Sequence, residues 1–272
     1  MAKYLGIDTG GTYTDAIVFD TQEGVLATDK SLTTKQDLAL GIESAVTKVL
    51  HPNAYSREIE LVSLSTTLAT NAIVEGKEAP ICLILIGQSR DVLERYGLGS
   101  VLGSDPVIFV DGGHTYSGEE QTSLDEETLK TEVERVHPGV NAFAVVSLFS
   151  VQNPEHELRA REIVQLQAMV SVTCSHELTS RINAPRRAVT CVLNARLIPL
   201  IDRLICAVTE ILGRQSIDAP LMIVQGDGSL VSVDIARFQP IQTIMSGPAA
   251  SVVGAAYLTK AQDAIIADIG GT

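Results

Sequence analysis

The stretch Gly6-Ile7-Asp8-Thr9-Gly10-Gly11-Thr12-Tyr13-Thr14-Asp15 lies between two runs, Tyr4–Ile7 and Ala16–Asp20, that are predicted to be β-strands. Adjacent glycines permit positive φ angles and a close approach of ligand to backbone. Successive backbone N–H groups of such a turn can point into one anion-sized hollow. The stretch therefore predicts a hairpin that binds an anion, with an ordinary Asp/Gly turn as the alternative.

Three polar side chains in this stretch suggest what the anion is. Thr12 and Thr14 supply hydroxyl donors, and Asp8 ends the first predicted strand. Mg²⁺ prefers one or two carboxylates together with water and phosphate oxygens. A carboxylate facing a hollow lined with donors indicates a phosphate group with its Mg²⁺, held directly or through water.

The end of the chain nearly repeats its beginning. Ile265–Thr272 reads Ile-Ile-Ala-Asp-Ile-Gly-Gly-Thr, and Leu5–Thr12 reads Leu-Gly-Ile-Asp-Thr-Gly-Gly-Thr. Two such loops could clamp a polyphosphate from opposite sides, with Asp8 and Asp268 beside the metal. The second clamp would consist of Gly270, Gly271 and Thr272. This repetition favours phosphate binding over a simple turn, because a single short motif has a high rate of chance matches.

Composition narrows the class of protein. The 272 residues are 45% hydrophobic and 19% charged, typical of a soluble globular protein, and the net charge is -13. That negative charge argues against a nucleic-acid partner, whose phosphates it would repel. The apolar runs are too short to span a membrane, and no apolar signal segment follows Met1, so the expected location is the cytoplasm. The four cysteines form no C-x-x-C pair and are expected to be reduced thiols.

Alternating strand and helix patterns predict an α/β fold. No low-complexity linker divides the chain, and a soft joint is expected at Ser175–Ile182, where polar residues cluster. The predicted regions are 1–178, with the first phosphate loop, and 179–272, with an interdomain helix and the beginning of the second loop.

The sequence also predicts two further secondary-structure elements, one helix and one strand. Ser123–Val136 is expected to be a helix capped by Ser123, with Glu126 at the capping-box position. Ala264–Ile269 is expected to be a final apolar strand.

Five motifs in order along the chain narrow the prediction further. They are Gly6–Asp15, Thr66-Thr67-Leu68-Ala69-Thr70-Asn71, Asp111-Gly112-Gly113-His114, Asn153-Pro154-Glu155-His156-Glu157 and Ser246-Gly247-Pro248-Ala249. With them the chain resembles the A subunit of the hydantoinase/oxoprolinase family, within the superfamily of actin, sugar kinases and heat-shock chaperone ATPases. The segment Ala184–Thr190 and the turn Gly226-Asp227-Gly228 depart from the family pattern, which leaves the substrate open.

The resemblance implies an actin-like, ribonuclease-H-like lobe: a mixed sheet flanked by helices, truncated at the start of the second lobe. It implies ATP and Mg²⁺ as cofactors and hydrolysis of a small cyclic amide, of the hydantoin or 5-oxoproline type, through phosphoryl activation of its carbonyl. A B-type partner subunit is expected, and a homo-oligomer is compatible with the sequence. The alternatives are a ketone-phosphorylating carboxylase subunit and a non-catalytic actin-like nucleotide switch.

The same resemblance implies roles for individual residues. Asp8 and Asp268 would hold the metal, Asp268 alternatively activating water. The phosphate ligands would be Gly10, Gly11, Thr12 and Thr14, with the second clamp named above. The substrate would meet Thr66, Thr67, Asn71, His114 and Arg187. Each of these five also has an ordinary structural reading, as a helix cap, a hydrogen-bonded histidine or a solvated helix start.

Overall fold

A computed structural model of the chain describes residues 2–34, 37–50, 55–76, 79–260 and 263–268. Its strands are β1 Lys3–Thr9, β2 Tyr13–Asp20, β3 Gly24–Leu32, β4 Ile59–Thr66, β5 Ile81–Ile86, β6 Val107–Val110, β7 Gly113–His114, β8 Glu120–Thr122, β9 Ala142–Ser147, β10 Ser171–Cys174, β11 Leu221–Val224 and β12 Leu230–Ser232. Its helices are α1 Leu38–Leu50, α2 Leu68–Glu75, α3 Val92–Arg95, α4 Leu98–Leu102, α5 Glu126–Val136, α6 Glu155–Ala168, α7 Ser175–Leu178, α8 Ala184–Arg214, α9 Val233–Phe238 and α10 Ser246–Thr259.

The chain forms two compact units. The first consists of Met1–Lys77 and Leu200–Thr272, and the second of Glu78–Pro199. The two regions predicted from the sequence, 1–178 and 179–272, are each continuous in the chain. The first compact unit is discontinuous, because β11 and β12 belong to the same sheet as β1. Ser175–Ile182, expected to be a joint, lies inside the second unit.

The first unit is built on a mixed six-stranded sheet in the order β12-β11-β4-β1-β2-β3. Strands β1, β2 and β3 form an antiparallel meander, and β4 runs parallel to β1 with Thr9 opposite Thr66. The carboxyl ends of β1 and β4 therefore meet at one edge of the sheet. This mixed sheet with helices confirms the predicted fold class.

Period-two alternation along β1 places its apolar side chains in the core of the first unit. Leu5 and Ile7 are buried against α1 and the part of α8 that follows residue 199. The intervening residues Gly6 and Asp8 point to the opposite face, because successive strand side chains alternate. Burial of each large aliphatic side chain in this core contributes about 1.5–3 kcal/mol.

The second unit contains a parallel sheet in the order β10-β9-β5-β6. All six residues of β5, Ile81–Ile86, are buried. The even-numbered side chains of β5 pack in a cluster with α5 and α6, and the odd-numbered ones in another with α4 and α8. Coverage on both faces explains why the strand is a continuous apolar run.

Helix α5 begins later than the sequence predicted. It starts at Glu126, and its N-cap is Asp125, whose Oδ1 accepts a hydrogen bond of 3.0 Å from the backbone N–H of Thr128. Asp125 also meets the Thr128 hydroxyl at 2.6 Å. Asp125 thus accepts two hydrogen bonds from Thr128 and is the N-cap of the helix in place of Ser123.

The predicted final strand is not formed within the part of it that the structure describes. Residues 264–268 have no strand assignment, and Ile265 is 100% exposed. An apolar run becomes a strand only when a neighbouring backbone takes up its N–H and C=O groups. Ile269 lies outside the described residues. Of the helices in the described segments, none combines the length and apolarity needed to cross a lipid bilayer.

Candidate functional site

The β1–β2 hairpin has a tightly closed turn. The backbone N–H of Gly10 donates to the carbonyl oxygen of Tyr13 at 2.9 Å, and that of Thr33 donates to Thr12 at 2.9 Å, which ties the turn to the end of β3. Gly10 does not have a positive φ, contrary to the expectation from the sequence. A Cβ at this position would lie 3.1 Å from the Tyr13 oxygen, a tight contact that a larger residue could make only if the turn shifted slightly.

Thr14 occupies the inner side of the hairpin. It has no exposed surface, and its hydroxyl lies 3.0 Å from that of Thr33. The structure thus corrects the prediction that Thr14 presents its hydroxyl to a phosphate, because the hydroxyl has a protein partner and is enclosed. Gly10, Gly11 and Thr12 are partly exposed and remain predicted phosphate ligands.

Carboxylates gather on the face of the sheet opposite the apolar core. Asp8 accepts a hydrogen bond of 2.5 Å from the Ser65 hydroxyl and lies across from Asp15 in the β1–β2 register. Burial raises the pKa of Asp8; the Ser65 hydrogen bond opposes this, and the charges of Asp15 and Asp268 raise the pKa further. Asp268, itself bound by the Ser251 hydroxyl at 2.8 Å, therefore lies within the electrostatic reach of Asp8.

This charge distribution suits a divalent cation. A half-buried carboxylate with a raised pKa carries negative charge that its protein neighbours do not neutralise. A bound Mg²⁺ would relieve that charge and invert the pKa shift. Asp8 and Asp268 thus fit the predicted metal, although that role stays a prediction. Gly270, Gly271 and Thr272, the predicted second clamp, lie outside the described residues.

The beginning of helix α10 adjoins the acidic face. The Ser246 hydroxyl accepts a hydrogen bond from the Thr66 N–H at 3.2 Å and donates one to the Thr66 carbonyl at 2.9 Å. A Cβ on Gly247 would lie 3.7 Å from Oδ1 of Asp8. Ser65 was not predicted from the sequence, because its contact with Asp8 depends on the parallel pairing of β1 with β4. The sequence indicated Ser246 only as the first residue of the motif Ser246-Gly247-Pro248-Ala249, with no role of its own.

A pocket of about 260 Å³ lies at the carboxyl ends of β1 and β4. It is lined by Thr9, Gly10, Gly11, Thr33, Leu38, Thr66, Thr67, Leu68, Asn71, Ala72, Glu75 and Leu200. Among these are three residues of the predicted substrate cleft. Asp8 is absent from the lining, because it projects from the other face of β1. The carboxylate of Asp8 and the pocket therefore lie on opposite sides of the β1–β2 hairpin.

The backbone at the β4–α2 junction holds the pocket in shape. The N–H of Thr67 donates to the Thr9 carbonyl at 3.0 Å, and the Asn71 amide donates to the Thr67 hydroxyl at 3.1 Å. Thr67 is at the N-cap position of α2 but makes no side-chain cap, whereas the Thr66 hydroxyl accepts from the Leu68 N–H at 3.0 Å. Helix capping therefore explains the role of the Thr66 side chain, but it does not explain the side chains of Thr67 and Asn71.

His114, predicted to meet substrate, belongs to the second unit and is 2% exposed. Its ring packs on that of His156 with centroids 4.3 Å apart, and neither of its nitrogens has a partner among the described residues. Burial and the neighbouring His156 lower the pKa of His114, so the ring is neutral at physiological pH. The reading as a hydrogen-bonded structural histidine is therefore not supported.

Arg187 is an internal crosslink of the second unit. It is 1% exposed, and burial lowers its pKa. Its guanidinium donates to the carbonyls of Ser147, Arg181 and Ile182 and to the hydroxyls of Ser150 and Ser175, at 2.6–3.1 Å. These contacts correct both predictions made for it, a solvated helix start and a substrate ligand, because all three guanidinium nitrogens bind protein oxygens.

Glu157 is the buried carboxylate of the same network. Its oxygens accept hydrogen bonds from the Ser147 N–H, the Ser175 hydroxyl, and the N–H and ring Nδ1 of His176, at 2.6–3.1 Å. Glu157, Cys174 and His176 have a spacing that could hold a metal ion. Because these bonds already occupy both carboxylate oxygens, the network accounts for the cluster without an ion.

The pH dependence of the free energy of unfolding should show how much the ionised Glu157 side chain contributes to stability. Burial raises its pKa, but the four hydrogen bonds outweigh burial and bring the pKa below the ordinary value of 4.5. A carboxylate with a depressed pKa contributes stability above its unfolded pKa and loses it as the pH falls through the folded value. The difference in free energy of unfolding between wild type and Glu157→Gln should therefore shrink below pH 4.5. Urea denaturation across pH measures this, and a constant difference would contradict the assignment.

Comparisons with known proteins show which families and sequences this chain is similar to. The family described as "Hydantoinase/oxoprolinase N-terminal region" matches residues 4–167, and the one described as "Hydantoinase/oxoprolinase" matches residues 187–272. The acetophenone carboxylase gamma subunit of Aromatoleum aromaticum is 29% identical over 98% of this chain and 41% of its own. Caprolactamase subunit alpha of Pseudomonas jessenii is 28% identical over 98% of this chain and 42% of its own.

A solved structure agrees with the fold. The ATP-dependent caprolactamase from Pseudomonas jessenii superposes with a TM-score of 0.78 and 26% identity, covering 94% of this chain and 40% of that one. The chain thus spans about two fifths of the length of these relatives.

Proposed function

The chain belongs to the hydantoinase/oxoprolinase family, and from this premise we propose that its β1–β2 hairpin binds the phosphates of ATP. The full-length protein would use them to hydrolyse a cyclic amide by phosphorylating its carbonyl oxygen. Support comes from the relatives, which include an ATP-dependent lactam hydrolase. The observation that carries the proposal is the position of Asp8 at the glycine hairpin, bonded to Ser65, opposite Asp15 in the strand register and beside Gly247 at the start of α10.

In this proposal Asp8 and Asp268 hold Mg²⁺, and Gly10, Gly11 and Thr12 meet the phosphates. Phosphoryl transfer needs little covalent participation by protein, so positioning and charge neutralisation supply most of the catalysis. The N-terminus of α10, next to Asp8, adds a partial positive charge that favours phosphate.

The chemistry explains why ATP is needed. An amide carbonyl resists water because resonance stabilises the C–N bond. Attack of the amide oxygen on the γ-phosphorus breaks the bond to the β-phosphate oxygen and releases ADP. Water then adds to the activated carbon, and the C–N bond breaks with a proton passing to nitrogen, which leaves an acyl phosphate. A second water hydrolyses the acyl phosphate to a carboxylate and inorganic phosphate.

The second candidate is phosphorylation of a ketone in a carboxylase. It is favoured by the acetophenone carboxylase gamma subunit, whose identity to this chain equals that of the lactam hydrolase within one per cent. The same hairpin and acidic face would serve either carbonyl, since both reactions begin with transfer to oxygen. A B-type partner subunit is part of both proposals, because both relatives are named as subunits.

One experiment separates the candidates. ATP turnover of the full-length protein, with its partner subunit, would be measured with Mg²⁺ and a panel of lactams, hydantoins and ketones, the ketones with and without bicarbonate. Stimulation by a lactam or hydantoin, with ring opening, supports the first proposal. Stimulation by a ketone with carboxylated product supports the second, and binding of nucleotide without stimulation by any compound would favour a non-catalytic switch.

A further inference from the structure

We infer that the carbonyl compound binds in the pocket beside the hairpin, and that the Thr9 hydroxyl forms a hydrogen bond with its polar edge. This inference rests on the proposed function, and it adds the place of the substrate and a residue that binds it. It follows from the position of the pocket relative to the glycine turn, from its size and from the state of its hydroxyl groups.

The position of the pocket is the first argument. Its lining includes Gly10 and Gly11, the proposed phosphate ligands, and Asp8 lies on the other side of the hairpin. A γ-phosphate at this turn would therefore have the acidic face on one side and the pocket on the other. Phosphoryl transfer requires the accepting oxygen in line with the phosphorus, with the reacting atoms about 3–3.5 Å apart. A carbonyl compound in the pocket would lie next to the phosphate that it accepts.

Size and polarity give the second argument. About 260 Å³ accommodates one small ring and no drug-sized ligand. Leu38, Leu68 and Leu200 give the pocket apolar walls, and the side chains of Thr67 and Asn71 add polar groups. A small ring with one carbonyl group matches this combination of surfaces.

The hydroxyl groups of the lining differ in whether the protein already uses them. That of Thr33 lies 3.0 Å from the hydroxyl of Thr14. That of Thr66 caps α2, and that of Thr67 accepts from the Asn71 amide at 3.1 Å. Each of these three hydroxyls thus has a partner inside the protein.

Thr9 is the exception among the described threonines of the lining. It is 2% exposed, and its hydroxyl has no hydrogen-bond partner among the described residues. A buried hydroxyl without a partner costs free energy, and such groups are rare in proteins. A hydroxyl can donate to a carbonyl oxygen or accept from a lactam N–H, so a ligand of either candidate class would satisfy it.

The test measures ATP turnover of the full-length protein with its partner subunit, with 2-pyrrolidone, hydantoin or acetone as the stimulating compound. Thr9→Val keeps the shape of the side chain and removes the hydroxyl. It should raise the KM for the stimulating compound about fivefold or more, because the polar edge of the ligand loses a buried partner. The KM for ATP and kcat should change much less. Thr9→Ser, which restores the hydroxyl, should bring the KM back towards the wild-type value.

Thr33→Val is the matched comparison, because it removes a hydroxyl of the same lining that has a protein partner. It leaves the buried Thr14 hydroxyl without that partner and should lower the free energy of unfolding, without the rise in KM. Thr9→Val should show the opposite pattern, a raised KM with no loss of stability in urea denaturation.

The other outcomes overturn the inference in distinguishable ways. A raised KM for ATP with an unchanged KM for the carbonyl compound would make Thr9 a phosphate ligand. Reduced stability with both KM values unchanged would make it a structural residue. Either result would leave the proposed function intact, whereas an absence of stimulation by all three compounds would reject the proposed function together with this inference.

Discussion

Replacing Asp8 by asparagine is expected to reduce the Mg²⁺-dependent ATP turnover of the full-length protein by about a thousandfold, to background. The amide has the shape of the carboxylate and can still accept from Ser65, but it carries no charge for a cation. Removal of one such electrostatic group at a transferring phosphoryl group costs on the order of 10²–10³ in rate. Turnover is measured by phosphate release at saturating Mg²⁺.

The same substitution should not destabilise the protein. The folded-state pKa of Asp8 is raised above the ordinary value of 3.8, so the ionised group lowers the free energy of unfolding as the pH rises through that interval. Asparagine removes this penalty, and Asp8→Asn should be at least as stable as wild type at pH 7. A coupled loss of stability would show that the activity was lost through misfolding.

Asp15→Asn is the matched control. Asp15 is the cross-strand neighbour of Asp8, is half-exposed, and forms an ion pair with Lys30 at 3.3 Å. Its replacement removes one carboxylate from the same face and should leave most of the turnover. An equal loss in both variants would mean that the total negative charge matters, and not a metal ligand at Asp8.

Arg187→Met is expected to lower the free energy of unfolding by about 3–5 kcal/mol, which is the usual cost of removing one buried charged partner from a network. The substitution leaves the Ser147, Arg181 and Ile182 carbonyls without their donor, and methionine fills the space only in part. Burial magnifies the cost, since water cannot replace the guanidinium without entering the unit. Urea denaturation followed by circular dichroism measures the change.

Arg186→Met provides the comparison for this experiment. Arg186 is the preceding residue in α8 and is exposed, so its replacement should change stability by less than about 0.5 kcal/mol. If Arg187→Met folded with normal stability and only raised the KM for a carbonyl compound, the structural role would be wrong and the substrate role restored.

The predicted site residues differ in whether a ligand can reach them, and burial is the reason. Gly10, Gly11 and Thr12 are partly exposed at the hairpin because turn geometry is set by local sequence. Arg187 and Thr14 have hydroxyl or guanidinium chemistry suited to ligands, yet folding encloses them with protein partners. Residue type indicates what a side chain can bind, whereas burial decides what reaches it.

The sequence by itself determined the α/β class, the phosphate-type hairpin and the family, because strand periodicity, glycine turns and ordered motifs are local properties of the chain. Only the tertiary structure decided that Asp8 faces Ser65, 57 residues away, and that Ser246 binds Thr66, 180 residues away. It also decided that Thr9 and Asp8, neighbours in sequence, serve a pocket and an acidic face on opposite sides of the hairpin. Strand pairing and register fix which side chains share a face, and they depend on contacts between distant segments that no local pattern encodes.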